Sequence, residues 1–411
     1  MLYRNCKHTA DNTVWLPVHI CLAVKGVFAS DSGIVGDPKG DFATALLQEV
    51  PTGNAPFFAL SSGMKSTPAI DTVVHWFEES HLSGRTTLAE SGFDDSETDM
   101  TVADASFLVA GAILLVETTG EQVLVTGVSG SVLTIVRGFA GTSASAATSG
   151  DGIQKIGTAQ AEASEKPTAV MNVGDPIFNF TQIFRNTWNV SGTTAAVQYY
   201  TGNKVAKSKR DASLFHAEDI ERSLWFGRRS NGTVGGMPFR TMNGLDAMIT
   251  TNVDGAGSTT NWQELEDFLR AIFEKNIKGE PNERIAFCGN QALSVINGIA
   301  RIEGTIMLDP GATEFGLDVT KWITPFGRIS LMTHPMFVES PLWTQDLRIL
   351  HPAAVDIRWL RRTHLDDYDQ DGRRAGTDAD FGVYTSELSF QYGVETTGGR
   401  LTGLTAAAAV P

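Results

Sequence analysis

Carboxylates at alternate positions ahead of a glycine form the one spacing in this chain that looks like metal chemistry. Asp367, Asp369 and Asp371 precede Gly372, and Asp378 falls at the twelfth position, as in a calcium-binding loop. Three departures weaken the match. Asp rather than Glu closes the loop, Arg373 and Arg374 occupy positions seven and eight, and no clear helical pattern flanks it. A solvated acidic turn is the favoured reading, with calcium as the alternative.

The remaining search for catalysis is negative. The chain has no Gly-x-Ser-x-Gly elbow, no Gly-Lys dipeptide for a phosphate loop and no His-Glu-x-x-His pair. It also lacks a Gly-x-Gly-x-x-Gly at a strand-to-helix turn. The eight histidines are dispersed, and His75, in a strand-like run, reads as a structural residue. Glu78 and Glu79 are adjacent, so on a strand they point to opposite faces and cannot share acid–base work. The expectation is a protein without catalytic residues and without a cofactor.

Basic residues gather at Lys204, Lys207, Lys209 and Arg210, at Arg228 and Arg229, and at Arg358, Arg361 and Arg362. The chain as a whole carries 32 Lys and Arg against 47 Asp and Glu, a net charge of −15. A protein that grips nucleic acid through phosphates shows the opposite balance, so these clusters read as solvated helix faces and ion pairs. Three scattered cysteines, Cys6, Cys21 and Cys288, exclude a disulfide scaffold and suit a reducing compartment. The longest apolar stretch is about twelve residues, short of the roughly 20 a membrane helix needs, which points to a soluble intracellular protein.

The elements that would position these residues follow a strands–helices–strands order, an α+β pattern. Residues 1–60 read as an extended arm punctuated by Gly and Pro, with one short helix over 41–49. Two β-like runs, 71–79 and 175–190, suggest a long hairpin whose tip holds an inserted unit. That insert, 104–158, is rich in small residues and reads as a small antiparallel barrel or sandwich. Residues 204–226 present Leu214, Ala217, Ile220 and Leu224 at helical spacing, a helix on the order of 35 Å long. Residues 261–278 form the clearest helix, with Thr260 and Gln263 as a capping box and Trp262, Leu265, Leu269, Ile272 and Phe273 as its buried stripe. Near the end, Tyr384, Ser386, Leu388, Phe390, Tyr392 and Val394 fall on one strand face. An arm and a hairpin that leave backbone and apolar area uncovered are the marks of an assembly subunit.

In this order the segments resemble major capsid proteins of tailed bacteriophages with the Hong Kong 97 fold, in the branch with an inserted β-domain. The resemblance is carried by residues 73–82 (VVHWFEESHL) with 179–193 (NFTQIFRNTWNVSGT), 199–207 (YYTGNKVAK), 221–227 (ERSLWFG) and 239–249 (FRTMNGLDAMI). It continues through 350–360 (LHPAAVDIRWL) and 387–395 (ELSFQYGVE). Within the insert it rests on 120–125 (GEQVLV), 136–142 (VRGFAGT) and 150–157 (GDGIQKIG).

The resemblance implies an N-terminal arm (1–60), extended-loop strands (61–103 and 159–195) and an inserted β-domain (104–158). It further implies a peripheral domain with a spine helix (196–254), an axial domain (255–350) and a peripheral return with a tail (351–411). It also implies hexamers and pentamers forming an icosahedral-type shell around double-stranded DNA, bound without sequence specificity and without a membrane. Portal, scaffold and decoration proteins would be partners, and assembly would take place in the host cytoplasm. Trp76, Phe77, Phe184, Trp188, Arg228, Arg229, Arg361 and Arg362 are the expected subunit contacts. The alternatives are a cellular compartment shell of the encapsulin type, a decoration or tail protein with a receptor-binding insert, and a calcium-dependent enzyme or adhesin.

Overall fold

The structure, a computed structural model, describes residues 56–61, 65–199, 202–255, 261–303, 308–314, 317–368 and 378–405. The helix expected over 41–49 and most of the expected arm lie outside the described residues, as do Asp369 and Asp371.

Helix α1 (Pro56–Ser61) begins on a proline, whose missing N–H would have no helical partner there anyway. After it come β1 (Lys65–Pro68) and β2 (Val73–Glu78). Along β2 the side chains alternate: Val74 and Trp76 are buried, His75 and Phe77 exposed. His75 is therefore no core histidine; its ring lies on the surface near that of Phe178.

Six strands then close on themselves: β3 (Arg85–Thr87), β4 (Asp99–Thr101), β5 (Ala112–Val116), β6 (Gln122–Ser129), β7 (Val132–Val136) and β8 (Gly152–Thr158). Their order is β3-β8-β5-β6-β7-β4. The ring is completed by a bridge between Leu88 and Val102, with Ala89 N donating to Thr101 O and Ala103 N to Thr87 O, both at 2.9 Å. The insert is thus a barrel, filled by Leu88, Phe93, Met100, Leu114, Val123 and Leu133 among others. A two-residue loop joins β6 to β7, and Gly130 takes a φ of 63° there, as tight hairpin turns require. The expected boundary at residue 104 is corrected: β3 and β4, assigned to the loop strands, complete the barrel. Three-residue strands are too short to show periodicity, which is why they escaped the pattern.

The chain returns through β9 (Asp175–Phe180), antiparallel to β2 from Val73↔Phe180 to Glu78↔Asp175, and continues into β10 (Gln182–Ser191). The run read as one strand is two, divided at Thr181. Only its first part forms the ribbon with β2. A short helix, α2 (Gly192–Ala196), leads to α3 (Lys204–Phe226), the long helix at its expected position. Asn203 caps it, accepting from Val205 N at 2.9 Å and Ala206 N at 3.3 Å. Its inward stripe is Ala212, His216, Ile220 and Leu224, joined by Glu221 and Trp225; Leu214 and Ala217 are only half-buried. A ribbon of β11 (Ser230–Val234) and β12 (Met237–Thr241) follows, then α4 (Leu245–Met248) and β13 (Val253–Gly255). Gly244 lets the chain fold back on α3, since a Cβ there would sit 2.6 Å from Ser223 O.

The remaining elements are α5 (Trp262–Phe273), β14 (Glu283–Cys288), α6 (Asn290–Glu303), β15 (Leu308–Glu314), β16 (Leu317–Ile323), β17 (Arg328–Thr333), α7 (Pro335–Glu339), β18 (Leu347–Leu350), β19 (Val355–Tyr368), β20 (Ala379–Tyr392) and β21 (Gly399–Thr402). The capping box of α5 uses Asn261 and Glu264, one residue beyond the expected pair. Asn is as good a cap as Thr, and Glu264 places charge at the positive end of the helix.

Two sheets organise the body: β1-β19-β20-β10, and β13-β21-β18-β14-β17-β16-β15. Residues of α5 and α6 share one apolar cluster with the seven-stranded sheet. A second cluster joins that sheet to α1, α3, α7 and the four-stranded sheet. Strand β14 feeds both, with Ala286 and Cys288 in one and Phe287 in the other. Strand β20 is central and largely buried on both faces rather than one, and Val394 leaves it at a φ of 53°. Strand β21, expected in the peripheral return, pairs with β18 and β13 in the seven-stranded sheet, so the last segment serves both halves.

Candidate functional site

The amino-terminal entry to the body is fixed by one carboxylate. Glu221, on α3, has no exposed surface. It accepts hydrogen bonds from Phe57 N (3.0 Å), Phe58 N (2.6 Å), Trp225 Nε1 (3.1 Å) and His334 Nε2 (2.5 Å). The first N–H groups of α1, which have no partner inside the helix, are thereby satisfied. Nδ1 of His334 accepts from Met336 N at 3.2 Å, which leaves Nε2 to donate to Glu221. Phe57 fills the space beside it, with ring centroids 4.8 Å from Trp225 and 5.8 Å from Phe287.

The β2–β9 ribbon and the segment leading into β9 carry exposed apolar side chains. Phe77 is 76% exposed, and Met171 and Val173 stand nearby at 80% and 71%. The segments beside the ribbon meet where Asn172 Nδ2 donates to Ser80 O at 2.5 Å. Trp76 turns the other way and donates from Nε1 to Glu78 at 2.7 Å.

The eight residues expected at subunit contacts separate into three groups. Trp76, Phe184 and Trp188 are corrected: all three are buried within their own chain. They read as contacts because aromatic strands look alike whether they face a neighbour or a core. Arg361 is tied to Glu387 at 2.7 Å, and Arg229 donates to Phe178 O at 2.6 Å with its guanidinium 4.0 Å over the Phe178 ring. Phe77, Arg228 and Arg362 are exposed.

The acidic turn has a partner for its first carboxylate. Asp367 forms an ion pair with Lys209 at 2.6 Å, and Lys209 also lies 4.7 Å over the Trp188 ring. Asp378 sits against Gly192, accepting its N–H at the backbone carbonyl. Among the described residues no three His, Cys, Asp or Glu side chains are grouped to hold a metal. At the start of α3, Lys207 pairs with Asp211 at 2.7 Å and Lys204 lies over Tyr199, consistent with a solvated, internally paired face.

Two buried clusters were not singled out from sequence. Glu221 is one. The other lies in the barrel, where Arg137 grips Glu121 through two hydrogen bonds of 2.8 and 2.9 Å. Arg137 also donates to Asp94 O and Ser145 O and covers Phe93 at 4.2 Å. Burial pushes the Glu121 carboxyl up, but Arg137 and the amides of Gly138 and Ser145 outweigh it and hold it below the usual range. The signal was present: Glu121 and Arg137 each stand beside a glycine within the quoted motifs GEQVLV and VRGFAGT.

The sequence matches the model of the SU10 major capsid protein over residues 32–405. The chain belongs to the SU10 major capsid protein family. A major capsid protein of Pseudomonas phage PaMx41 is 28% identical over 371 residues, covering 88% of this chain and 87% of that protein. Among solved structures, the chain from Mycobacterium phage Cain superposes with a TM-score of 0.48 at 8% identity, covering 94% of this chain and 100% of the other. The capsid of Myoviridae phage XM1 gives 0.45 at 12% identity, with 89% and 97% covered. The SrpI encapsulin of Synechococcus elongatus PCC 7942 gives 0.43 at 10% identity, with 59% and 81% covered. As an SU10-type major capsid protein, the chain meets the expectation of a tailed-phage head protein, and its fold is α+β as expected.

Proposed function

We propose that copies of this chain tile into a closed shell of hexamers and pentamers around double-stranded DNA, with no catalytic step. The supporting observation is the β2–β9 ribbon: two strands with no third strand beside them among the described residues, with Phe77 on β2 exposed to water and Met171 and Val173 exposed on the segment that leads into β9. A two-stranded ribbon is marginal alone, and apolar side chains on it call for a covering surface. Identical neighbours in a closed symmetric array supply such a surface in every position.

The charge balance supports the same reading. A wall of chains carrying −15 each does not hold a polyanion tightly, so the genome is confined rather than bound. Assembly occurs in the host cytoplasm, with portal, scaffold and decoration proteins meeting the shell at its specialised positions. Buried His216, His334 and His351 each tie side chains of separate segments together.

Sedimentation of the Phe77→Asp variant tests the role of the ribbon. The expected result is folded subunits or capsomers that no longer reach shell size. Full-sized shells at wild-type yield would remove the ribbon from the account.

A further inference from the structure

Between α3 and the four-stranded sheet, His216 begins a row of polar side chains that ends at the surface. Its Nδ1 lies 2.7 Å from Asn186 Oδ1 on β10, and its Nε2 lies 2.6 Å from Ser386 Oγ on β20. Ser386 Oγ in turn lies 2.7 Å from Thr363 Oγ1 on β19. His216 and Ser386 are buried, while Thr363 is exposed. At the other end, Asn186 Nδ2 donates to Asp219 Oδ2 at 2.7 Å. The register of β19 shifts between Trp359 and Arg361 and again before His364, and these irregularities set Thr363 against Ser386.

The chemistry of each partner fixes where the hydrogens sit. Asn186 turns its amide hydrogens toward the Asp219 carboxylate, so its Oδ1 faces the ring and can only accept. His216 Nδ1 therefore carries a proton. In the neutral ring Nε2 then offers a lone pair, so Ser386 donates to it and accepts from Thr363. Once Nε2 is protonated, both hydroxyls point the other way: the ring donates to Ser386, Ser386 to Thr363, and Thr363 to water. Every link of the row survives in both states.

We propose that Thr363 and Ser386 are a proton relay through which buried His216 is charged from the surface while the chain stays folded. A proton from water binds Thr363 Oγ1, the hydrogen of Thr363 passes to Ser386 Oγ, and that of Ser386 passes to His216 Nε2. One N–H bond forms at the ring, and both hydroxyls remain neutral. The surface changes with it, because Thr363 offers lone pairs to its surroundings before uptake and an O–H after it. The relay lies within one chain and does not rest on the shell reading.

The charged groups around the ring set where uptake falls. On α3, Asp219 favours the charged ring and is itself paired with Arg222 at 3.3 Å. On β20, the Tyr384 ring lies 6.1 Å from that of His216, and Glu387, on the opposite face from Ser386, is held by Arg361 at 2.7 Å. On β19, Arg362 and His364 flank Thr363, and on β10 the group facing the ring is the uncharged Asn186. Burial outweighs Asp219, so uptake lies on the acid side of the ordinary histidine value of 6.5.

Deuterium exchange at the imidazole C2 hydrogen, read peptide by peptide by mass spectrometry on the folded full-length chain, gives the titration midpoint of His216 by itself. The wild-type midpoint is expected below pH 6.5 and above the pH of unfolding. Thr363→Val keeps the shape but cannot accept, so charging the ring strands the Ser386 hydrogen. Its midpoint should fall by about one pH unit, roughly tenfold in proton affinity. Thr363→Ser keeps the hydroxyl and should keep the wild-type midpoint. An unchanged midpoint in Thr363→Val, or an equal fall in Thr363→Ser, overturns the relay. So does a wild-type His216 that stays neutral until the chain unfolds.

Discussion

The Glu221 carboxylate and the His334 imidazole meet 2.5 Å apart in the centre of the body, neither with any exposed surface. The pair joins α3, the residue preceding α7 and the first amides of α1, so three segments distant in sequence share one anion. Replacing Glu221 by Gln keeps the volume but turns one acceptor into a donor that faces N–H groups. The expected loss is about 3 kcal/mol, the scale for breaking one side of a buried charged network. Thermal unfolding measures it, and amide exchange at Phe57 and Phe58 should rise first. Unchanged exchange at those two amides would show that α1 is held by packing alone.

Arg137 plays the corresponding part in the barrel, holding Glu121 and the carbonyls of Asp94 and Ser145 at once. Arg137→Ala should destabilise the barrel by about 3 kcal/mol, and Arg137→Lys should recover little, because an ammonium cannot make the two-pronged contact. Amide exchange in residues 138–150 should accelerate in both variants while α3 and β20 stay protected.

The barrel boundary makes a sharper test than its existence. Removing residues 83–160 and closing the gap with a short Gly/Ser linker deletes all six strands and should leave a folded body. Removing only 104–158 strands β3 and β4 without partners, and should give an aggregating product. Equal solubility of the two deletions would contradict the closed barrel.

Acid should loosen the body through its buried histidines. Burial pushes His351 down from 6.5 to about 4, helped by the nearby Arg284, and burial likewise lowers His216 against the opposing influence of Asp219. Because these folded-state values lie below the unfolded one, the unfolded chain takes up protons first as pH falls. Stability from these groups is therefore full above pH 6.5 and declines toward pH 4. His351→Asn, which can still cap the turn at Ala353, should flatten part of that decline in melting temperature.

Much of this architecture was legible in the sequence where periodicity is long. The bounds of α3, the stripe of α5 and the β2–β9 pairing follow from apolar spacing over six residues or more. Short strands were not legible, because β3 and β4 carry three residues each and acquire meaning only when the barrel closes. Contact residues failed for a different reason: Trp76, Phe184 and Trp188 have the composition of an interface, and only tertiary structure shows that their own chain covers them.

Electron microscopy of the purified, full-length chain tests the central claim most directly. The account predicts closed, roughly spherical shells with hexameric and pentameric clusters in their walls. A uniform population of compact monomers or trimers, under conditions where the chain is folded and concentrated, would contradict it.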